Sequence, residues 1–164
     1  MTDLEISPAS PGDIPGILEL QEQNLPERGG LLSVAFAENW FAAAIAAMPV
    51  IVGRRNDRVV GYLVSSPFAA HDHVPVVQAM LRAYRPAAGA YLYGPICVAE
   101  SERAHGLAGR LFAALRRALP NREGVLFIRS DNAASLRAHG RMGMRRVAEF
   151  MHDGVLHLVL SYVG

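Results

Sequence analysis

Between Ala90 and Met142 the sequence switches twice from a strand signal to a helix signal, and this alternation most restricts the folds open to the chain. "AYLYGPICV" (Ala90–Val98) has the β-branched and aromatic content of a strand. "GLAGRLFAALRRALP" then places Leu107, Leu111, Leu115 and Ala118 on one face of a helix stopped by Pro120. "GVLFIRS" (Gly124–Ser130) is an almost continuous apolar run, the pattern of a strand inside a sheet. Asp131 or Asn132 can cap the next helix, Ala133–Met142. Strand–helix–strand–helix predicts an α/β domain.

The flanking segments extend the pattern. Leu4–Ser7 alternates like a short strand, and Ser10-Pro11-Gly12-Asp13 has the spacing of a capping box with proline at the first helical position. A helix through Ile14, Ile17, Leu18 and Gln21 follows, broken at "ERGG" (Glu27–Gly30). Ser33 can cap a second helix through Phe36, Trp40, Phe41 and Ile45, ended by Pro49. Val50–Arg54 and Val59–Ser66 flank Asn56-Asp57, and Arg145–His152 and Val155–Val163 flank Asp153-Gly154, so both pairs read as antiparallel hairpins. A short helix is expected over Pro75–Tyr84, and Gly94-Pro95 inside a strand implies a bulge. No linker or repeat divides the chain, so residues 1–164 are expected to form one domain with a mixed sheet.

Composition narrows the function. Of 164 residues, 51% are hydrophobic and 19% charged, which suits a globular core rather than disorder. The formal charge of +1, from 16 basic and 15 acidic side chains, offers no broad basic surface for nucleic acid or anionic lipid. Every basic residue is arginine, which removes any lysine nucleophile. The single cysteine, Cys97, permits no internal disulfide and sits in an apolar strand. There burial is the ordinary reading and an acyl-enzyme the alternative. "MTDLEISPAS" has no apolar signal region, and the longest apolar run, Trp40–Val52, is too short to span a bilayer, so a cytoplasmic location is expected. His71-Asp72-His73 has no convincing third ligand, and no metal site is expected.

The strand-to-helix turn "SERAHGLAGRL" carries the clearest chemistry. Glycine lets backbone pass close to a large group, and a helix start offers amides without intrahelical acceptors; together they suit a phosphate. The lysine-bearing phosphate loop is ruled out, and no G-x-G-x-x-G is present. What stands there is Arg103-Ala104-His105-Gly106-Leu107-Ala108, an R-x-x-G-x-A pattern.

At these residues the chain resembles the GNAT N-acetyltransferase superfamily. The first matching stretch is "ICVAESERAHGLAGRLFAAL". The second is "DNAASLRAHGRMGMRRV", with Asn132, Ser135, His139, Gly143 and Met144 at corresponding places. The resemblance implies a mixed, mainly antiparallel twisted sheet of about seven strands flanked by helices. It implies acetyl-CoA as cosubstrate and an N-acetyl transfer by direct attack of an amine. Ile96, Cys97 and Val98 would offer backbone groups to the pantetheine arm, lying like an extra strand in a gap beside the fourth strand. The amides of Ala104, His105, Gly106, Leu107, Ala108 and Gly109, with Arg103, would surround the diphosphate; helix packing is the other reading of Gly109. Asn132, with Ser135, would meet the cofactor amides.

For the chemistry, the Val98 amide can polarise the thioester carbonyl as oxyanion holes do. His139 stands where many relatives have tyrosine. It can protonate the leaving thiolate or hydrogen-bond the sulfur, or it can simply pack. Glu100 is either a base acting through water or an exposed loop residue. Tyr91 and Tyr93 share one strand face and either line the acceptor pocket or fill core. The acceptor is read as a small-molecule or peptide amine, and the apolar insertion Phe68–Gly89 can cap a pocket or form a homodimer contact. The reading from another class is a non-catalytic CoA-binding or regulatory module on the same fold.

Overall fold

A computed structural model describes residues 3–28, 32 and 35–164. Its strands are β1 (Glu5–Pro8), β2 (Val50–Arg55), β3 (Arg58–Ser66), β4 (Tyr91–Val98), β5 (Glu123–Arg129), β6 (Arg145–His152) and β7 (Val155–Val163). Its helices are α1 (Ile14–Gln23), α2 (Glu38–Ala47), α3 (Pro75–Ala83), α4 (Leu107–Ala118) and α5 (Ala133–Arg141). The seven strands follow the order β1-β2-β3-β4-β5-β7-β6. β4 runs parallel to β5, whereas the β1–β2, β2–β3, β5–β7 and β6–β7 pairings are antiparallel. The sheet is therefore mixed and mainly antiparallel, as expected. Gly29 and Gly30 of the "ERGG" break and the Ser33 cap lie outside the described residues; α2 opens at Glu38 behind Ala37.

The chain divides into two compact units. The first comprises Met1–Ser66 with Gly94–Ala118, the second Pro67–Tyr93 with Leu119–Gly164.

In the first unit, strand alternation sorts side chains to two faces. Val50 and Val52 of β2 and Tyr62 and Val64 of β3 pack with Ile14, Ile17 and Leu20 of α1 and with Phe41 and Ala44 of α2. On the other face Gly53 and Gly61 stand directly opposite each other in the β2–β3 register. Neither has a side chain, and Leu107 fills the slot they leave. A Cβ on Gly61 would fall 2.8 Å from Leu107 Cδ2, and one on Gly53 would fall 3.1 Å from Leu107 Cδ1. That slot fixes where α4 begins. The buried stripe of α4 is Leu107, Leu111, Phe112 and Leu115, continued by Leu119; Ala118, expected on it, is exposed because the stripe drifts toward Phe112.

The start of α1 is tied down by charge. The Asp13 carboxylate accepts from the Ser10 amide at 2.8 Å, the acidic arm of the expected capping box. It also accepts from Arg54 Nε at 2.7 Å and Nη2 at 2.5 Å, a bidentate fork. The tight turn between β2 and β3 has Asn56 and Asp57 at φ 50° and 63°, the left-handed conformation that such hairpins require.

In the second unit, Val77 and Met80 of α3 pack with Leu92, Val125, Phe150 and Val159. Glu123, 8% exposed, accepts from the Tyr84 hydroxyl at 2.5 Å, the Ala87 amide at 2.7 Å and the Ser161 hydroxyl. Burial alone would raise its pKa; the three donors and the charge of Arg145 together outweigh that and hold it low. Gly124 faces Tyr91 on one side and Tyr162 on the other in the strand registers. A Cβ there would collide with the Tyr162 ring, so the glycine admits the contact between the Tyr91 and Tyr162 hydroxyls, 2.5 Å apart.

Candidate active site

In the first unit, the candidate cofactor loop is built from residues that pin it from several elements. The Ala99 amide donates to the Val60 carbonyl at 2.8 Å, which closes β4 against β3. A 3-10 turn over Glu100–Glu102 follows. Glu102 is 8% exposed and takes Arg55 Nε on both carboxylate oxygens at 3.0 Å, so β2 holds the end of the turn. Arg103 Nη2 donates to Asn24 Oδ1 at 2.5 Å, and the buried Asn24 donates in turn to the Leu20 carbonyl at 2.8 Å. One nitrogen of the expected diphosphate arginine is therefore engaged by the residue that caps the C-terminus of α1. Nothing in the sequence near Glu102 or Asn24 signals these partnerships, which join residues 47 and 79 positions apart.

Beyond Arg103 the backbone turns back on itself. Ala104 has φ 64° and Gly106 has φ 80°, both left-handed. Leu107 is buried at 2% exposure, whereas Ala104, His105, Gly106 and Gly109 are exposed and Ala108 is partly so. Arg110 N–H donates to the Gly106 carbonyl at 3.2 Å, so the helical ladder is under way there. The amides of Leu107, Ala108 and Gly109 are those that an α-helix leaves without an intrahelical acceptor. A Cβ on Gly106 or Gly109 would meet nothing within 4 Å. Helix packing thus does not account for Gly109. The geometry suits an anion: first-turn amides, two bare glycines, the helix dipole and an arginine.

On β4, Ile96 and Val98 are half-buried and Cys97 is buried. Cys97 Sγ lies 4.0 Å from the Leu20 carbonyl, and burial pushes its thiol up to about 11. It is a packed thiol at neutral pH, not a nucleophile. Gly94 takes φ 105° ahead of these residues. Among the described residues the β4–β5 register consists of Tyr91↔Gly124 and Leu92↔Val125. Glu100 is exposed.

The second unit holds the other candidate cluster. Asn132 caps α5, its Oδ1 accepting from the Ser135 amide at 3.1 Å. Gly143, at φ 87°, ends the following turn, and the Met144 amide donates to the His139 carbonyl at 3.3 Å. His139 is 5% exposed. Its Nδ1 lies 2.8 Å from the Ser135 carbonyl oxygen and 3.2 Å from the Ser135 hydroxyl. Its Nε2 lies 3.1 Å from the Tyr93 hydroxyl, and the two rings meet edge to face. Burial lowers the His139 pKa from its ordinary value, and the Ser135 carbonyl offsets only part of this. Tyr93, also 5% exposed, has its pKa pushed up by burial. Tyr91 is fully buried. The two tyrosines thus sit among packed side chains, Tyr91 on Tyr162 and Tyr93 on both His139 and Tyr162.

Among the described residues, no three His, Cys, Asp or Glu side chains are grouped to hold a metal ion, and no helix is long and apolar enough to cross a membrane.

The family model described as the acetyltransferase (GNAT) family matches residues 15–144, and the chain belongs to that family. No curated protein matches the sequence. Solved structures share the fold. The protein smu.2055 from Streptococcus mutans is 22% identical, with 97% of this chain and 98% of that chain covered and a TM-score of 0.69. The protein yncA from Salmonella typhimurium, solved with its cofactor acetyl-CoA, is 18% identical over 99% and 94% of the two chains, with a TM-score of 0.68. The ribosomal-protein-alanine N-acetyltransferase from Brucella melitensis is 20% identical over 98% and 99%, with a TM-score of 0.67. At these identities the likeness is one of fold. Membership in the family makes an acyltransferase the class of enzyme supported.

Proposed function

We propose that residues 1–164 act as one N-acetyltransferase domain that moves an acetyl group from acetyl-CoA to an amine by direct attack. The observation that carries this reading is the strand-to-helix turn at Ala104–Gly109. Two exposed glycines there have open space where a side chain would stand, at the first turn of a helix anchored from beneath by Leu107.

Acetyl-CoA, when bound, supplies an activated acetyl group and a thiolate leaving group. The chain's own residues then have separate tasks. The amides of Ala104 to Gly109 hold the diphosphate, with Arg103 adding positive charge. Ile96, Cys97 and Val98 act through their backbone, since the Cys97 side chain is committed to the core. The Val98 amide bonds the carbonyl oxygen as negative charge collects on it; one such donor is worth about 10²–10³ in rate. Asn132 and Ser135 open the helix that carries His139, with Asn132 Nδ2 the atom that would reach a cofactor amide. Tyr91 and Tyr93 form the floor under the acceptor rather than its open wall.

A non-catalytic CoA-binding module is the second reading. It is favoured by one observation: the imidazole at 139 is buried and already hydrogen-bonded through both nitrogens.

The experiment is thiol release from acetyl-CoA with a panel of amines: free amino acids, a polyamine, an aminoglycoside and an alanine-initiated peptide. The peptide is included because the Brucella melitensis neighbour is named for alanine N-acetylation. Release with one of them, together with acetylated amine by mass, is the expected result. Acetyl-CoA binding without release across the panel would favour the second reading.

A further inference from the structure

Asn24 holds the candidate coenzyme turn from the side of α1. It caps the C-terminus of that helix and is 5% exposed. All four of its polar groups are engaged. Its backbone N–H donates to the Gln21 carbonyl at 3.0 Å, and its backbone carbonyl accepts from the Leu32 N–H at 3.2 Å. Its side-chain Nδ2 donates to the Leu20 carbonyl at 2.8 Å, and its Oδ1 accepts from Arg103 Nη2 at 2.5 Å. A carbonyl oxygen can only accept and a guanidinium can only donate, so the two partners fix which way the amide points.

Arg103 belongs to the turn that leads into α4. α1 packs on the sheet face of Val52 and Tyr62, whereas Leu107 of α4 fills the Gly53–Gly61 slot on the other. The Arg103–Asn24 bond therefore joins elements from both faces. The Arg103 charge also reaches β4: burial pushes the Cys97 thiol up, and the Tyr62 hydroxyl and the Arg103 guanidinium oppose that push. The guanidinium thus lies close to the strand expected to carry the pantetheine arm as well as to the turn.

The chemistry of its partner decides what this arginine can do. Among the described residues, Arg28, Arg54, Arg55, Arg129 and Arg146 rest on carboxylates. Arg103 rests on a neutral amide, which fixes one nitrogen and leaves the positive charge uncompensated. Its Nε and Nη1 take no acceptor among the described residues, and the residue is exposed. A long side chain ordered in advance spares a ligand the cost of ordering it on binding. A cation is also favoured at the C-terminal end of a helix, which is where Asn24 holds it.

We propose that Asn24 is a positioning residue for coenzyme binding: it holds the Arg103 guanidinium in place without neutralising it, so that Nε and Nη1 are kept for the diphosphate of acetyl-CoA. The proposal rests on the acetyltransferase reading above. An aspartate at the same position would grip the guanidinium and cancel its charge. An alanine would leave the charge and lose its placement.

Two measurements test this. Nitrogen-detected spectra of the free wild-type protein should show slow rotation of the Arg103 guanidinium, and Asn24→Ala should speed it to that of the exposed Arg117. Calorimetry with acetyl-CoA then gives affinities for the single and double variants, each first shown to be folded by its denaturant melt. Asn24→Ala should weaken binding about three- to tenfold, the cost of ordering one long side chain. Arg103→Ala should weaken it about ten- to a hundredfold. In the Arg103→Ala background, Asn24→Ala should change the affinity by less than about twofold, whereas a general disturbance of α1 would cost the same in both backgrounds. Asn24→Asp keeps the volume of the buried side chain and serves where Asn24→Ala does not fold. It should hold the guanidinium still yet bind acetyl-CoA more weakly than the wild type. A freely turning guanidinium in the wild type, wild-type affinity in Arg103→Ala or Asn24→Asp, or equal losses from Asn24→Ala in both backgrounds would overturn the proposal. A wild-type protein with a still guanidinium that binds no acetyl-CoA would instead overturn the acetyltransferase reading beneath it, and leave Asn24 as a tie between α1 and the turn.

Discussion

Leu107 sits in a slot formed by Gly61, whose missing Cβ would fall 2.8 Å from Leu107 Cδ2. The first buried residue of α4 is thereby fixed to β3, and with it the amides that follow the left-handed Gly106. The candidate diphosphate site is thus positioned by a packing contact on the face of the sheet away from Tyr62 and Val64.

Gly61→Ala tests that dependence. The added methyl would also stand 3.3 Å from Leu111 Cδ1 and 3.4 Å from the Cys97 carbonyl, so there is little room to yield. Overpacking of this kind costs about 1–3 kcal/mol. The melting temperature should fall, and acetyl-CoA affinity should fall with it as the start of α4 lifts. Denaturant melts and calorimetry on one preparation measure both.

Gly109→Ala should separate the two effects. The methyl meets nothing within 4 Å, and glycine is the poorer helix former by up to about 1 kcal/mol. The variant should be as stable as the wild type or slightly more so, yet bind acetyl-CoA more weakly because the methyl occupies the approach to the diphosphate. Unchanged affinity would remove Gly109 from the site.

These glycines show what the sequence conveys and what it hides. The R-x-x-G-x-A pattern and the helix after it are local signals, legible in consecutive residues. So are the Asn56-Asp57 and Asp153-Gly154 turns and the Asn132 cap. The Gly53–Gly61 slot becomes visible only once the β2–β3 register is known. The same holds for Arg55 on Glu102, Asn24 on Arg103 and Tyr93 on His139. Each is a long-range pairing set by packing, and no spacing rule in one sequence encodes it. That Tyr91 and Tyr93 share a strand face is legible, with core one of its two readings, whereas Tyr162 as their packing partner is not.

Acid should expose the Asp13–Arg54 fork. Arg54 holds the Asp13 carboxyl below its ordinary value of 3.8, against the opposing effect of burial. A depressed folded-state pKa adds stability above the unfolded value, and that stability is lost as pH falls through the folded one. The melting temperature of the wild-type protein should therefore drop on acidification below that ordinary range. Asp13→Asn should start lower at neutral pH and lose less on acidification, the two curves approaching each other at the acid end.

Cys97 should stay out of the chemistry. With its thiol pushed up to about 11 by burial, it should resist alkylation at neutral pH in the folded protein and react on unfolding. Mass spectrometry after incubation with acetyl-CoA should find no acetyl on Cys97, in keeping with direct attack. An acetylated Cys97 that disappears when an amine is added would replace direct attack with a covalent route.

The most direct measurement is a thermal-shift titration with acetyl-CoA, CoA and adenosine diphosphate side by side. A ligand present at 100 times its dissociation constant adds about 2.7 kcal/mol of stability. A clear rise is expected with acetyl-CoA and CoA, well beyond that with adenosine diphosphate, and a reduced rise in Gly109→Ala. No rise at millimolar acetyl-CoA would contradict it: the turn at Ala104–Gly109 would then hold no coenzyme, and the chain would keep the fold of its family without the chemistry proposed for it.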